Sequence, residues 1–399
     1  MTRFLHIAIS PLLLLLLLIG TDQRTHAQVF YDQDFRDRAS DGLERTYNFE
    51  FAKAQEIYAN LRDDYPKHPG PHFLLALNLW WKSYITASTQ WHAEIFAELD
   101  TSLTLNKAFK NRMDAELEYV FFEYMSYAFI ARLHVLRGEW WSGANAGRKA
   151  LPNLKKGFKF TKQSPEFYFS SGIYHYYAEV YPEEHPIVKP FTIFFPNGDA
   201  DLGLEELESA AATPNFTQIE AKFYLTDLYL YWEKDPQKAV ANQAQLVRAF
   251  PGNTQFRMEY GRALVYLKDW EQAESVLLPM KRAFEGIPNH RTRQITPDIS
   301  PTTSLLMIRT YHLLGQCELE KGNLNVARSY FEESLHLSTL AQQPNDTWPA
   351  SAAYNLGRIH DLQGHRAQAL ECYEKALAME PDEHIKQRIK DCQKSPCVD

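Results

Sequence analysis

Residues 352–381 read AAYNLGRIHDLQGHRAQALECYEKALAMEP, and the spacing of their small and aromatic side chains decides the fold. Counted from Ala350, Leu356, Gly357, Ala369, Tyr373, Ala376 and Pro381 fall at positions 7, 8, 20, 24, 27 and 32. Apolar residues recurring every three to four places mark amphipathic helices. His360 and His365, five apart, span a turn between two helices rather than one helical face, so a pair of helices joined by a turn is predicted. Glycine and alanine on facing positions let the two axes approach closely, where bulkier side chains would hold them apart.

The pattern resembles the tetratricopeptide repeat, a 34-residue helix-turn-helix unit. Only the tryptophan of position 4 is missing, with Ala353 in its place. The unit before it, counted from Ile308, has Tyr311, Leu314, Gly315, Ala327 and Phe331 in the same register. Gly261 with Ala273 marks another unit, and Asp227 with Ala239 and Pro251 a further one. Gly42, Ala54, Tyr58 and Pro66 form a first unit, with Ala76 following 34 residues after Gly42. Ala131 with Gly138 and Ala150, and Gly172 with Ala210, complete the series less regularly. The position-8 residues are then 42, 76, 131, 172, 227, 261, 315 and 357.

One helical pair cannot bury its apolar face alone, so neighbouring pairs stack. The expected fold is all-α, an α-solenoid of about seven to eight tetratricopeptide-like repeats with irregular insertions. The insertions are Glu179 to Asp199, Gly286 to Ser304 and Leu340 to Pro349. The run 187–196, IVKPFTIFFP, is the one extended-looking stretch, and its prolines argue against a central strand. Residues 194–211, FFPNGDADLGLEELESAA, also resemble a helix-starting motif of the tetratricopeptide-repeat protein 39 family.

At the N-terminus, Arg3, the leucine run 12–18 and Thr25-His26-Ala27 have the arrangement of a secretory signal peptide. The apolar core is too short for a bilayer span, which needs about 20 residues. The sequence therefore divides into a signal peptide (1–27), degenerate helical repeats (28–165), repeats with inserted loops (166–385) and a polar tail (386–399). An exported location, periplasmic or secreted, is expected, with no transmembrane segment in the mature chain. Of four cysteines, Cys392 and Cys397 are placed to close a small loop, while Cys317 and Cys372 read as helical core residues.

The formal charge is −8, and so acidic a chain is not expected to gather the Lys/Arg surface that phosphate backbones require. Nucleic acid is therefore not an expected partner. No H-E-x-x-H, G-x-S-x-G or P-loop occurs. Asn197, Asp199, Asp201 and Glu208 have EF-hand spacing, but Leu202 stands where the turn glycine belongs, and Asp199 or Asp201 also suits a helix N-cap. Glu183-Glu184-His185 reads as solvated surface, and HPGPH at 68–72 as non-helical. No catalytic, cofactor or metal group is assigned.

The aromatic content is more informative, with 8 Trp, 22 Tyr and 24 Phe. The resemblance implies that positions 2, 5, 9, 12 and 13 of each first helix line the concave face. They are Phe73, Leu77, Trp80 and Trp81 in the second unit, and Phe169, Ile173, Tyr176 and Tyr177 in the fourth. The fifth contributes Tyr224, Leu228, Tyr231 and Trp232, and later units Arg262, Arg309, His312 and Arg358. His312, Gln316, Tyr354 and Arg358 stand where the two-carboxylate clamp of chaperone-tail binders needs Lys and Asn, so that activity is not implied.

The expected function is a non-catalytic scaffold holding a protein or peptide in an aromatic-to-basic groove. A competing reading puts these aromatics in the core beneath the insertions. A small-ligand or glycan pocket capped by the inserted loops is the alternative function, and a hydrolase with a dispersed site the third.

Overall fold

The computed structural model describes residues 28–86, 88–184, 197–286, 301–341 and 348–398. The signal-peptide segment and most of the three insertions lie outside these residues, including the run 187–196 and His185. Seventeen α-helices form eight antiparallel pairs and a terminal helix among the described residues. In order, α1 (Gln33–Tyr47) pairs with α2 (Phe51–Asp64), and α3 (Pro69–Thr86) with α4 (His92–Asn106). Next come α5 (Glu116–Leu136) with α6 (Trp140–Gly157), and α7 (Tyr168–Glu184) with α8 (Ala200–Ala212). The fifth pair is α9 (Gln218–Asp227) with α10 (Pro236–Ala249), and the sixth α11 (Thr254–Leu267) with α12 (Trp270–Glu285). α13 (Pro301–Glu320) pairs with α14 (Leu324–Ala341), α15 (Trp348–Leu362) with α16 (Arg366–Ala378), and α17 (Glu383–Lys394) caps the stack. The all-α solenoid is the observed fold.

Each predicted position-8 residue lies in the first helix of its own pair. A Cβ added at Gly315 would stand 2.8 Å from the Phe331 ring, and one at Gly42 or Gly357 would overlap Tyr58 or Tyr373. In all three the partner is the position-24 aromatic, 16 residues on. The turns follow the same count. Six residues with left-handed backbone, Phe49, Gly138, Lys234, Lys268, Gly322 and Gly364, each stand seven places after a position-8 residue. The next residue immediately precedes the second helix. Its backbone N–H reaches back five residues in five turns, from Glu50, Glu139, Asp269, Asn323 and His365. Asp235 and Asp269 also cap the new helix, accepting from Lys238 N at 3.0 Å and Gln272 N at 3.1 Å.

Two local expectations need correction. HPGPH is not outside a helix, because Pro69 opens α3 and Pro71 sits in its first turn, where the backbone N–H has no intrahelical partner to lose. Charge is also unevenly spread. α6 and the segment after it gather Arg148, Lys149, Lys155, Lys156, Lys159 and Lys162 without an acidic residue, despite the acidic total.

The stack curves tightly enough for its first pairs to meet its middle ones. Tyr47 packs on Phe250 and Phe256, with ring centroids 5.7 and 6.4 Å apart, and Trp81 on Phe223 and Phe256 at 5.8 and 6.2 Å. Asn253 Nδ2 donates to Tyr47 O at 2.8 Å, and Gly252 N to Asn48 Oδ1 at 3.4 Å. α3 also touches α13. One hydrophobic cluster therefore runs from Val29 to Phe167 and takes in Leu246, Phe250 and Phe256.

Candidate functional site

This closure folds the concave side in on itself, and its interior is here called the lumen. Phe73, Trp80, Trp81 and Tyr176 are buried at 5 % exposure or less and belong to the core. Phe73 and Trp80 pack on rings of neighbouring α5, Trp81 on rings of α9 and α11 that closure brings to it, and Tyr176 on Trp232. The indole N–H of Trp81 donates to Glu220 Oε1 at 2.8 Å, and Tyr47 Oη donates to the same oxygen at 3.1 Å. Burial raises the Glu220 carboxyl above its usual range, while Arg132 and these two donors pull the other way. Tyr176 donates its hydroxyl to Glu233 and packs edge-on against Trp232.

The fifth pair departs from regular counting. α9 does not end at Asp227 but continues as a π turn through Leu228–Trp232, whose wider i→i+5 bonding rotates the residues after it. Leu228, Tyr229 and Leu230 are buried, Trp232 is half-buried, and Tyr231 is 40 % exposed. Tyr177 meets Trp232 edge-on at 5.9 Å, and Tyr224 meets Phe169 at 5.5 Å.

The basic end also needs correction. Arg262 is buried, and its guanidinium is neutralised by Asp227 and Glu259 while donating to Tyr231 Oη at 2.6 Å. Arg358 lies 3.7 Å from Glu320. Both cations are thus balanced within the fold, by carboxylates of the same helix or of the preceding pair. Arg309 differs. It lies over Trp348, 5.8 Å from the ring centroid, with no ion pair among the described residues. His312, one turn on, is buried against Phe331 and Trp348, and burial depresses its pKa to about 3.

Arg132 completes the arrangement and was missing from the sequence candidates. Its guanidinium sits 4.0 Å from the Trp80 centroid and 5.7 Å from that of Tyr224, with no hydrogen-bond acceptor among the described residues. A signal existed: Ala131 holds position 8 of the third unit, so Arg132 holds position 9. Tyr84 had none, because it lies on an extra turn of α3 beyond the repeat's usual helix. Burial raises its hydroxyl pKa, and Arg309, Glu259, Arg132 and Asp227 all act on it electrostatically. Tyr84 thus lies within electrostatic reach of Arg132 and Arg309 and of the two carboxylates that Arg262 pairs with. Tyr224 lies beside Arg132 and Tyr231 beside Arg262.

The other sequence constellations are structural. Asp199 caps α8, accepting from Leu202 N at 3.0 Å, and Glu208 accepts from Tyr229 Oη at 2.7 Å and Lys238 Nζ at 2.9 Å. His68 pairs with buried Glu118 at 2.9 Å and His72 with Glu98 at 2.6 Å. Cys392 and Cys397 are joined in a disulfide.

Residues 306–381 match the tetratricopeptide repeat family, covering the seventh and eighth pairs in the register already read from the sequence. Those two pairs are tetratricopeptide repeats. Tetratricopeptide-repeat solenoids are protein-interaction scaffolds with extended concave surfaces. Among solved structures, the chain is similar to the human IFIT1 dimer with PPP-AAAA, at 13 % identity and a TM-score of 0.38, covering 83 % of this chain and 69 % of that one. It is also similar to the apo form of the quorum sensor NprR from B. thuringiensis, at 13 % identity and a TM-score of 0.34, covering 90 % of this chain and 80 % of that one. No curated protein matches it significantly. The tetratricopeptide pairs are thus of the kind that serves as a protein-interaction scaffold.

Proposed function

We propose that this tetratricopeptide-repeat protein is a non-catalytic scaffold of the cell envelope whose lumen holds a protein segment by its carboxylate. The carrying observation is that Arg132 and Arg309 lack acceptors among the described residues, while neighbouring Arg262 is neutralised. Both guanidiniums rest against aromatic rings, which fixes their planes before a ligand arrives and lowers the entropy lost on binding. A carboxylate between them would replace water with charge-assisted hydrogen bonds. Tyr177, Tyr224, Tyr231 and Trp232 would flank an apolar neighbour in the segment. The export-like N-terminus and the Cys392–Cys397 disulfide support placement in an oxidising compartment outside the cytoplasm.

A peptide array probed with residues 28–399 tests this reading. Bound peptides are expected to share Asp, Glu or a free C-terminus beside an aromatic or aliphatic residue. Arg132→Ala and Arg309→Ala should each weaken binding about tenfold, the effect of losing one charge-assisted hydrogen bond, while Arg248→Ala on exposed α10 should not. Binding indifferent to both arginines would overturn it. The closure of the first pairs on the middle ones favours one second reading, a small carboxylate-bearing ligand or acidic glycan enclosed there. In that case free acidic sugars, and no peptide, would compete in an arginine-dependent manner.

A further inference from the structure

The connection between α5 and α6 carries the strongest surface feature that the lumen does not explain. Trp140 and Trp141 are 68 % and 91 % exposed, and Val135 and Leu136 just before them are exposed at 40 % and 58 %. Four large apolar side chains at one tip are costly to leave in water and mark an interaction site. A basic stripe begins beside them. In a helix, residues 7, 8 and 15 places apart share a face, which puts Trp141, Arg148, Lys149 and Lys156 on one side of α6. Gly143, Ala146, Ala150, Asn153 and Gly157 occupy the buried side. Lys159 and Lys162 continue the positive charge beyond the helix.

Between His134 and Glu166 the only acidic residue is Glu139. It is already engaged, with Arg137 at 2.7 Å and His134 at 2.6 Å. Arg148 touches Asn145, and Lys149 lies over the Tyr127 ring at 5.5 Å, so neither charge is neutralised by these contacts. Such a stripe on a chain of net charge −8 complements an anionic surface locally, while the acidic remainder orients the molecule with α6 toward it.

We propose that the α5–α6 tip and the outer face of α6 dock the scaffold on an anionic phospholipid bilayer. The tryptophan pair with Val135 and Leu136 enters the headgroup–acyl boundary, and the α6 cations lie over the anionic headgroups. Indole is suited to that boundary, having an apolar ring and one N–H for the wet side. Apolar burial and polybasic attraction are the two signals that together hold a peripheral protein on a membrane. The aliphatic half of the tip favours a bilayer over nucleic acid, whose bases stack on aromatic rings but offer little to Val135 and Leu136. No helix among the described residues is long and apolar enough to cross a membrane, so the contact proposed is interfacial.

Vesicle co-sedimentation of residues 28–399 provides the test, with phosphatidylglycerol/phosphatidylcholine vesicles against pure phosphatidylcholine. Binding is expected only to the anionic vesicles, with a blue shift in tryptophan emission and at least a tenfold loss on raising salt from 0.05 to 0.5 M. Each cation near an anionic leaflet strengthens binding roughly fivefold. Lys149→Glu/Lys156→Glu should therefore lose well over tenfold, and Trp140→Ala/Trp141→Ala should lose both binding and the blue shift. Lys375→Glu/Lys390→Glu on the last helices should match the parent. All these substitutions are at exposed positions, and unchanged far-ultraviolet circular dichroism would show that the variants fold. Equal binding to neutral vesicles, tighter binding to single-stranded DNA, or tryptophan variants that merely dissolve a dimer would each overturn the proposal. Loss of peptide binding in the arginine variants with vesicle binding intact would separate this surface from the lumen.

Discussion

Lys268 shows how strictly a single position is dictated. It stands at the turn between α11 and α12 with φ of 64°, where Gly138, Gly322 and Gly364 occupy the equivalent turns. A left-handed residue with a side chain costs about 1–2 kcal/mol relative to right-handed backbone, and glycine escapes most of it. Lys268→Gly should raise stability by about 1 kcal/mol in urea titration, with binding unchanged. Gly357→Val should do the opposite, lowering stability by about 1–3 kcal/mol, because the Tyr373 ring fills the space a side chain needs.

Glu166 gives a residue-level prediction of a different kind. Its carboxylate is buried, accepts from Phe216 N at 2.9 Å, and has its pKa pushed by burial from 4.5 to about 7, against the pull of that bond and of Arg36. A carboxyl with a raised folded pKa favours folding fully below pH 4.5, and that advantage is lost as pH rises through about 7. Glu166→Gln should therefore flatten the fall in stability between pH 5 and 8, removing a contribution of up to about 3 kcal/mol. A pH series of denaturation curves reads this directly.

At the scale of elements, helix identities were legible because small residues at positions 8 and 20 and aromatics at 24 are packing requirements, and packing leaves a strict count. The same count included Gly138 in the third unit, and in the structure Gly138, Gly322 and Gly364 hold the left-handed turns. It failed where an element left the plan. The π turn at Leu228–Trp232 alters which side chains face the lumen, and nothing in LYLYW announces it. α17 was likewise read only as part of a polar tail. It is held because buried Asp361 accepts from Arg366 at 2.9 Å, Tyr373 Oη at 2.8 Å and Cys397 N at 2.9 Å. These donors lower its pKa against burial, so the stabilisation is present at neutral pH and lost as pH falls through that lowered value. Asp361→Ala should cost about 2–3 kcal/mol at pH 7, and hydrogen exchange should show α17 opening first.

At the scale of the whole molecule, curvature is what the sequence concealed. A strip of aromatics at concave positions looks the same whether the stack is open or closed. Trp81 reads as a groove residue until Glu220, Phe223 and Phe256 arrive from 139 or more positions away. Distant partners of this kind carry no local signature, so the core role of Phe73, Trp80, Trp81 and Tyr176 could not be separated from a binding role. Closure buries these rings, while Arg132 and Arg309 make no ion pair among the described residues, which is why the proposed binding role rests on the arginines and not on the aromatics.

The meeting of the first pair with the sixth can be tested with one cross-link. Asn48 and Gly252, 204 positions apart, are joined by a hydrogen bond in the closed stack. In a Cys372→Ser background, Asn48→Cys/Gly252→Cys is expected to form an intramolecular disulfide rapidly under mild oxidation at low protein concentration. Faster migration in non-reducing electrophoresis, with the linked peptides seen by mass spectrometry, is the predicted result. If the two thiols stay free, or link only between molecules, the solenoid is open and the lumen does not exist.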